Sequence, residues 1–110
     1  MPSFKIDVST AVVFVATPPV PKLVSKQTGE RAMDRETGAG LSTLGLLISD
    51  EGEGNLYQVT VPETGLPENL VPGTPVSVIG LKARDWENTF NGQSRHGISF
   101  RAVAVTAMGA

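Results

Sequence analysis

The chain has 110 residues, no cysteine and a hydrophobic share of 40%. That predicts one domain, 1–110, with a single modest core, and it excludes disulfides and thiolate metal sites. Nine basic and eleven acidic residues give a net charge of −2, which disfavours a nucleic-acid partner unless the charge is unevenly distributed along the chain.

Twelve glycines and eight prolines punctuate short apolar runs, and no window sustains a 3.6-residue apolar period. An all-β domain is therefore predicted. "FKIDVSTAVVFVA" (Phe4–Ala16) alternates with Phe4, Ile6 and Val8 on one face and then becomes wholly apolar. It reads as one long strand, which "TPPVP" should break, because proline cannot donate to a ladder. "KLVSK" is a short strand leading into "KQTGERAMDRETGAG" (Lys26–Gly40), a polar segment with six charged residues and three glycines. "LSTLGLLIS" (Leu41–Ser49) is the return strand and "DEGEGN" a turn. "LYQVTVP" alternates Leu56, Gln58 and Thr60 against Tyr57, Val59 and Val61. Pro62, Pro67 and Pro72 make the next connector a loop. "PVSVIGLKAR" and "GISFRAVAVTA" are the last strands, flanking "DWENTFNGQSRH", where Asn91-Gly92 marks a hairpin. This order fits a small five- to six-stranded Greek-key barrel of OB type with long protruding hairpins. A β-sandwich is the competing architecture.

Charge is segregated along the chain. Residues 50–68 hold Asp50, Glu51, Glu53, Glu63 and Glu68 and no Lys or Arg. The remainder carries nine basic residues against six acidic ones.

The chain from about Lys22 to Val105 resembles the single-stranded-DNA-binding proteins of filamentous phages. The likeness lies in an ordered series. First comes the basic, glycine-containing hairpin "KLVSKQTGERAMDRETG", followed by a strand, an acidic turn and the aromatic strand "LYQVTVP". The connector then ends in "LVPGTPVSVIGLKAR". A hairpin with "FNG" at its tip precedes a closing strand with Arg101. The resemblance implies an OB-type homodimer that coats single strands cooperatively. It implies phosphate contacts from Lys22, Lys26, Arg31 and Arg35, with Trp86 and Phe90 near the strand or the dimer axis.

Elementary physics points the same way. Single strands are held by a cationic groove and by aromatic faces on which bases stack, at about 1–3 kcal/mol per base. Each residue also has a plainer reading. Alternating charges in a surface hairpin are usually solvated. Trp86, the lone tryptophan, suits a core, an interface or a base. Phe90 at a hairpin tip is hard to bury. Tyr57 belongs with Val59 and Val61 in the core, its hydroxyl able to reach a strand at a wet edge. Arg84 and Arg95 flank the last hairpin and suit either cross-strand pairs or ligand contacts. His96 has no triad or zinc context, and no catalytic or metal-ligating set emerges.

The expected function is non-enzymatic, sequence-independent binding of single-stranded DNA, or of RNA, in replication or transfer of a phage or mobile element. The expected contacts are Lys22, Lys26, Arg31, Arg35, Tyr57, Arg84, Trp86, Phe90 and Arg95, with no metal and no cofactor. The acidic 50–68 segment should face away. No apolar run suits a membrane span and no signal peptide is evident, so a cytoplasmic homodimer is expected. The alternative is a small β-barrel that binds protein through exposed Trp86 and Phe90.

Overall fold

The structure is a computed structural model. It describes residues 3–25 and 27–108, the side chains of Ser25, Asn88, Phe90, Arg95 and His96 excepted. Among the described residues ten strands form: β1 (Ser3–Lys5), β2 (Val12–Pro21), β3 (Leu23–Ser25), β4 (Glu30–Arg31), β5 (Leu41–Asp50), β6 (Glu53–Pro62), β7 (Pro75–Ile79), β8 (Lys82–Phe90), β9 (Gln93–Arg101) and β10 (Ala104–Ala107). Eight join one curled, half-barrel sheet in the order β1-β8-β9-β6-β5-β2-β7-β10, and β3 with β4 forms a separate ladder. Only β6 and β9 run parallel, at Val59↔Phe100 and Thr60↔Arg101. The all-β expectation holds. No helix among the described residues is long and apolar enough to cross a membrane.

The first expected strand is instead two. Asp7 Oδ1 accepts the Ser9 N–H at 2.9 Å and Ala11 N–H reaches Val8 O at 3.0 Å, so local turn chemistry interrupts the ladder. The predicted break at "TPPVP" does not occur either, because β2 continues to Pro21. Its register against β5 slips between Val15 and Thr17 and again between Thr17 and Val20. Its other neighbour, β7, pairs only with Val13 and Phe14. Prolines 18, 19 and 21 therefore sit where β2 is bulged and one-sided, positions that tolerate a missing N–H.

Residues 75–107 form one long hairpin in a constant register. Pairing runs from Val76↔Ala107 to Ile79↔Ala104, resumes at Lys82↔Arg101 and ends at Phe90↔Gln93. Asn91 (φ 52°) and Gly92 (φ 77°) make the expected two-residue turn. The hairpin bends at Gly80, whose φ of +69° suits glycine. Past the bend its two halves pair on opposite sides of the β2-β5-β6 meander: β7 joins β2, while β9 joins β6. This division curls the sheet. The five or six expected strands counted each arm of this hairpin once, whereas the bend divides each arm in two.

Inward-facing alternate residues fill the curl. Val13, Val15, Leu44, Leu46, Val59, Val61, Val76 and Val105 are buried, with Leu70, Leu81 and Ala102 closing around them. The connector after β6 is a loop, as expected, save for one 3-10 turn at Glu63–Gly65. Burying each such aliphatic side chain contributes about 1.5–3 kcal/mol.

Candidate nucleic-acid interface

Side chains alternate across a strand, so Lys82, Arg84 and Trp86 of β8 share one face while Ala83, Asp85 and Glu87 share the other. Sequence patterning had put Trp86 in a polar loop. The structure puts it in a strand, because the two-residue turn lets the ladder run out to Phe90. The outward face forms ordered rows. Lys5, Lys82 and Arg101 stand opposite one another across β1, β8 and β9, and Thr60 of β6 pairs beyond Arg101. Arg84 stands between Ser3 and Ser99. Trp86 stands opposite Gly97.

Lys22, in the link between β2 and β3, joins this face. Its backbone is fixed by the bonds Lys22 N–H to Leu41 O, 2.9 Å, and Ala32 N–H to Lys22 O, 2.8 Å. Its Nζ comes within 3.5 Å of Thr60 Oγ1. Two adjoining concavities result. One, about 270 Å³, is lined by Lys22, Lys82, Arg84 and Arg101. The other, about 480 Å³, is lined by Lys22, Arg84 and Trp86, with Asp85 and Glu87 also bordering it. They share Lys22, Arg84 and Ser99, so the two adjoin; the one at the indole carries two cations, Lys22 and Arg84, and two carboxylates, Asp85 and Glu87.

Gly97 makes the indole's position feasible. A Cβ there would lie 2.8 Å from Trp86 Cζ2 and 2.9 Å from Cε2, so the ring covers the glycine backbone. Trp86 remains 40% exposed, which leaves aromatic surface open to a partner.

The described part of the 26–40 segment, 27–40, is tied down rather than held out. Arg31 Nη1 is 2.9 Å from Glu63 Oε2, and Nη2 donates to Ser42 Oγ at 3.1 Å. The acidic 50–68 stretch thus does not wholly turn away, since Glu63 holds Arg31. Asp34 is buried and accepts from Arg101 Nη2 at 2.6 Å and from Thr37 Oγ1 at 2.8 Å. The Thr37 hydroxyl, and after it Arg101, hold the Asp34 carboxyl below its usual range. Arg101 keeps an exposed side chain and further donors on its fork.

Of the expected site residues, the structure brings Lys22, Arg84 and Trp86 together. Arg31 serves the fold, Arg35 is exposed on the turn after Asp34, and Tyr57 stacks edge-on against Phe100 at 4.8 Å, away from the track. Lys26 lies outside the described residues, as do the side chains of Phe90 and Arg95. Lys5, Lys82 and Arg101 were not among the expected contacts. The alternation in "KARDW" was the available signal for Lys82, since every second residue is cationic or aromatic. Lys5 and Arg101 required the pairing of β1 and β9 with β8. The chain matches no protein-family model, no curated protein and no solved structure.

Proposed function

We propose that this protein binds single-stranded nucleic acid, DNA foremost, without sequence preference. In this reading Lys22, Lys82, Arg84 and Arg101 take phosphates, Lys5 extends the track, and the open surface of Trp86 stacks on a base. The observation that carries the reading is the row Lys5–Lys82–Arg101. Like charges directly opposite in a sheet destabilise it, and an anion laid across them would turn that repulsion into attraction. Among the described residues the buried Asp34 pairs with one of the three, Arg101.

The fold reading goes with it. A parallel pairing of β6 with β9, an antiparallel pairing of β2 with β7 and a hairpin shared between both sides support an OB-type Greek-key barrel. Folds of this kind commonly carry oligonucleotides on such a surface. The resemblance to phage proteins adds a non-enzymatic, cytoplasmic role in replication or transfer of a phage or mobile element. It also adds a homodimer. An apolar row across four strands, Pro75–Phe14–Leu47–Leu56, supports the dimer, with Leu56 57% exposed.

Fluorescence titration with oligothymidine at low and moderate salt tests the reading. Quenching of Trp86 and affinity that falls steeply with salt are expected. Absence of quenching and of salt-dependent binding would overturn it and leave the alternative, a protein-binding role for the exposed Trp86 face.

A further inference from the structure

A further concavity lies on the inner side of the same strands and is lined by carboxylates and apolar groups. It encloses about 310 Å³ between the 6–11 segment and the end of the β5–β6 hairpin. Ile6, Ile48 and Leu81 form apolar walls, and Tyr57 and Phe100, edge to face at 74°, form an aromatic one. That volume is at the small end of ligand pockets, which are typically apolar with a few placed polar groups.

The polar groups here are Asn55 and three carboxylates. Asp50 and Glu53 stand directly opposite each other as the last pair of the β5–β6 ladder, and both line the cavity. Asp7 adds a third. Its Oδ1 is engaged by the Ser9 N–H, while both oxygens of Asp50 lie 3.1–3.2 Å from Thr10 Oγ1. Among the described residues no lysine, arginine or histidine lines this space, though Lys5 and Lys82 line the adjoining concavity that shares Asp7. The three carboxylates do not gather on a metal: no group of three ligating side chains suited to an ion occurs among the described residues. Asp50 is half-buried and Glu53 exposed, and like charges directly opposite in a sheet repel. An ammonium group would relieve that repulsion, and aromatic faces attract the same charge.

We propose that this cavity binds a small organic cation: an ammonium group held by Asp50 and Glu53, on an apolar or aromatic body lodged against Ile48, Leu81, Tyr57 and Phe100. Asp50 and Glu53 lie off the cationic track, although Phe100 also borders the 270 Å³ concavity and a neighbouring concavity joins Asp7 to Lys5 and Lys82. Phe100 and Arg101 are neighbours in β9 and face opposite sides of the sheet, so the inference does not depend on the function proposed above.

Amide chemical shifts of the intact chain test it, with 2-phenylethylammonium as probe and phenylacetate and 2-phenylethanol as charge controls. The ammonium is expected to shift the Ile48, Tyr57, Leu81 and Phe100 amides saturably, in the millimolar range or tighter. Phenylacetate should shift none of them, and the alcohol should bind more weakly than the ammonium. Glu53→Gln should weaken the ammonium severalfold. Ile48→Trp should abolish binding by filling the space, with retained amide dispersion confirming that the variant folds. Equal binding of all three probes, no saturable shift at the walls, or unchanged affinity in folded Glu53→Gln and Ile48→Trp would overturn the proposal. Oligothymidine binding should be unaltered in Glu53→Gln, so the two proposals fail separately.

Discussion

Arg31 and Lys82 carry the same charge in different surroundings. Arg31 is half-buried and bonded to Glu63 and Ser42, whereas Lys82 is exposed between Lys5 and Arg101. Arg31→Ala is expected to lower unfolding stability by about 1 kcal/mol and leave oligothymidine affinity nearly unchanged. Lys82→Ala should do the reverse, weakening binding while stability holds or rises slightly. Urea unfolding and fluorescence titration of both variants would reveal a reversed order. Asp34 makes a pH prediction. Its folded pKa is depressed, so its contribution is present above the unfolded value, near 3.8, and is lost as pH falls through the folded one. Asp34→Asn should therefore be less stable than the parent at pH 7, and the gap should narrow as pH drops below about 4. Urea midpoints at pH 7 and pH 3 check this; a gap of constant size would remove the Asp34–Arg101 and Asp34–Thr37 contacts from the explanation. Trp86 shows how little a residue's neighbours in sequence say about its place. Polar residues surround it in the chain, yet its partner in space is Gly97.

The bend in the long hairpin is the element-level feature on which the curl depends. Gly80 has φ +69°, and a Cβ there would come 2.8 Å from Val103 Cγ2. Gly80→Ala should cost about 1–2 kcal/mol from the left-handed backbone, with crowding added. Equilibrium unfolding measures it, and an unchanged midpoint would mean that the bend is set elsewhere. The hairpin itself was legible from Asn91-Gly92 between alternating runs. The lengths of β8 and β9 were not, because polar residues on the outward face of a ribbon look like loop residues in sequence. The β2 prolines misled for a related reason. Proline forbids a ladder bond only where a neighbour stands to receive it, and that depends on where β7 begins.

At the scale of the molecule, the net charge of −2 says little about the local field. The outward face of β1, β8 and β9 gathers cations, while Asp7, Asp50 and Glu53 collect at the inner cavity. Binding through such a face should follow its own contacts rather than the total charge. Each phosphate contact adds about 0.7 to the log-log salt slope for single strands, so Lys82→Ala combined with Arg84→Ala should reduce that slope by about 1.4. Titration at four or five salt concentrations reads this directly; a slope unchanged by the double variant would rule out Lys82 and Arg84 as phosphate contacts.

The sequence by itself determined the β class, the buried alternation of β6 and the Asn91-Gly92 turn. These follow from local rules: alternation places Val59 and Val61 inside, and Asn91-Gly92 reverses the chain wherever it occurs. Among its nine candidate contacts it also named Lys22, Arg84 and Trp86, which the fold brings together. Tertiary structure alone decided which charges meet. Lys5 and Lys82 lie far apart in sequence, as do Lys82 and Arg101, and only strand pairing brings them together. The same pairing takes Arg31 out of the cationic set by giving it Glu63. Coulomb interactions depend on distance in space, and in a sheet that distance is set by register.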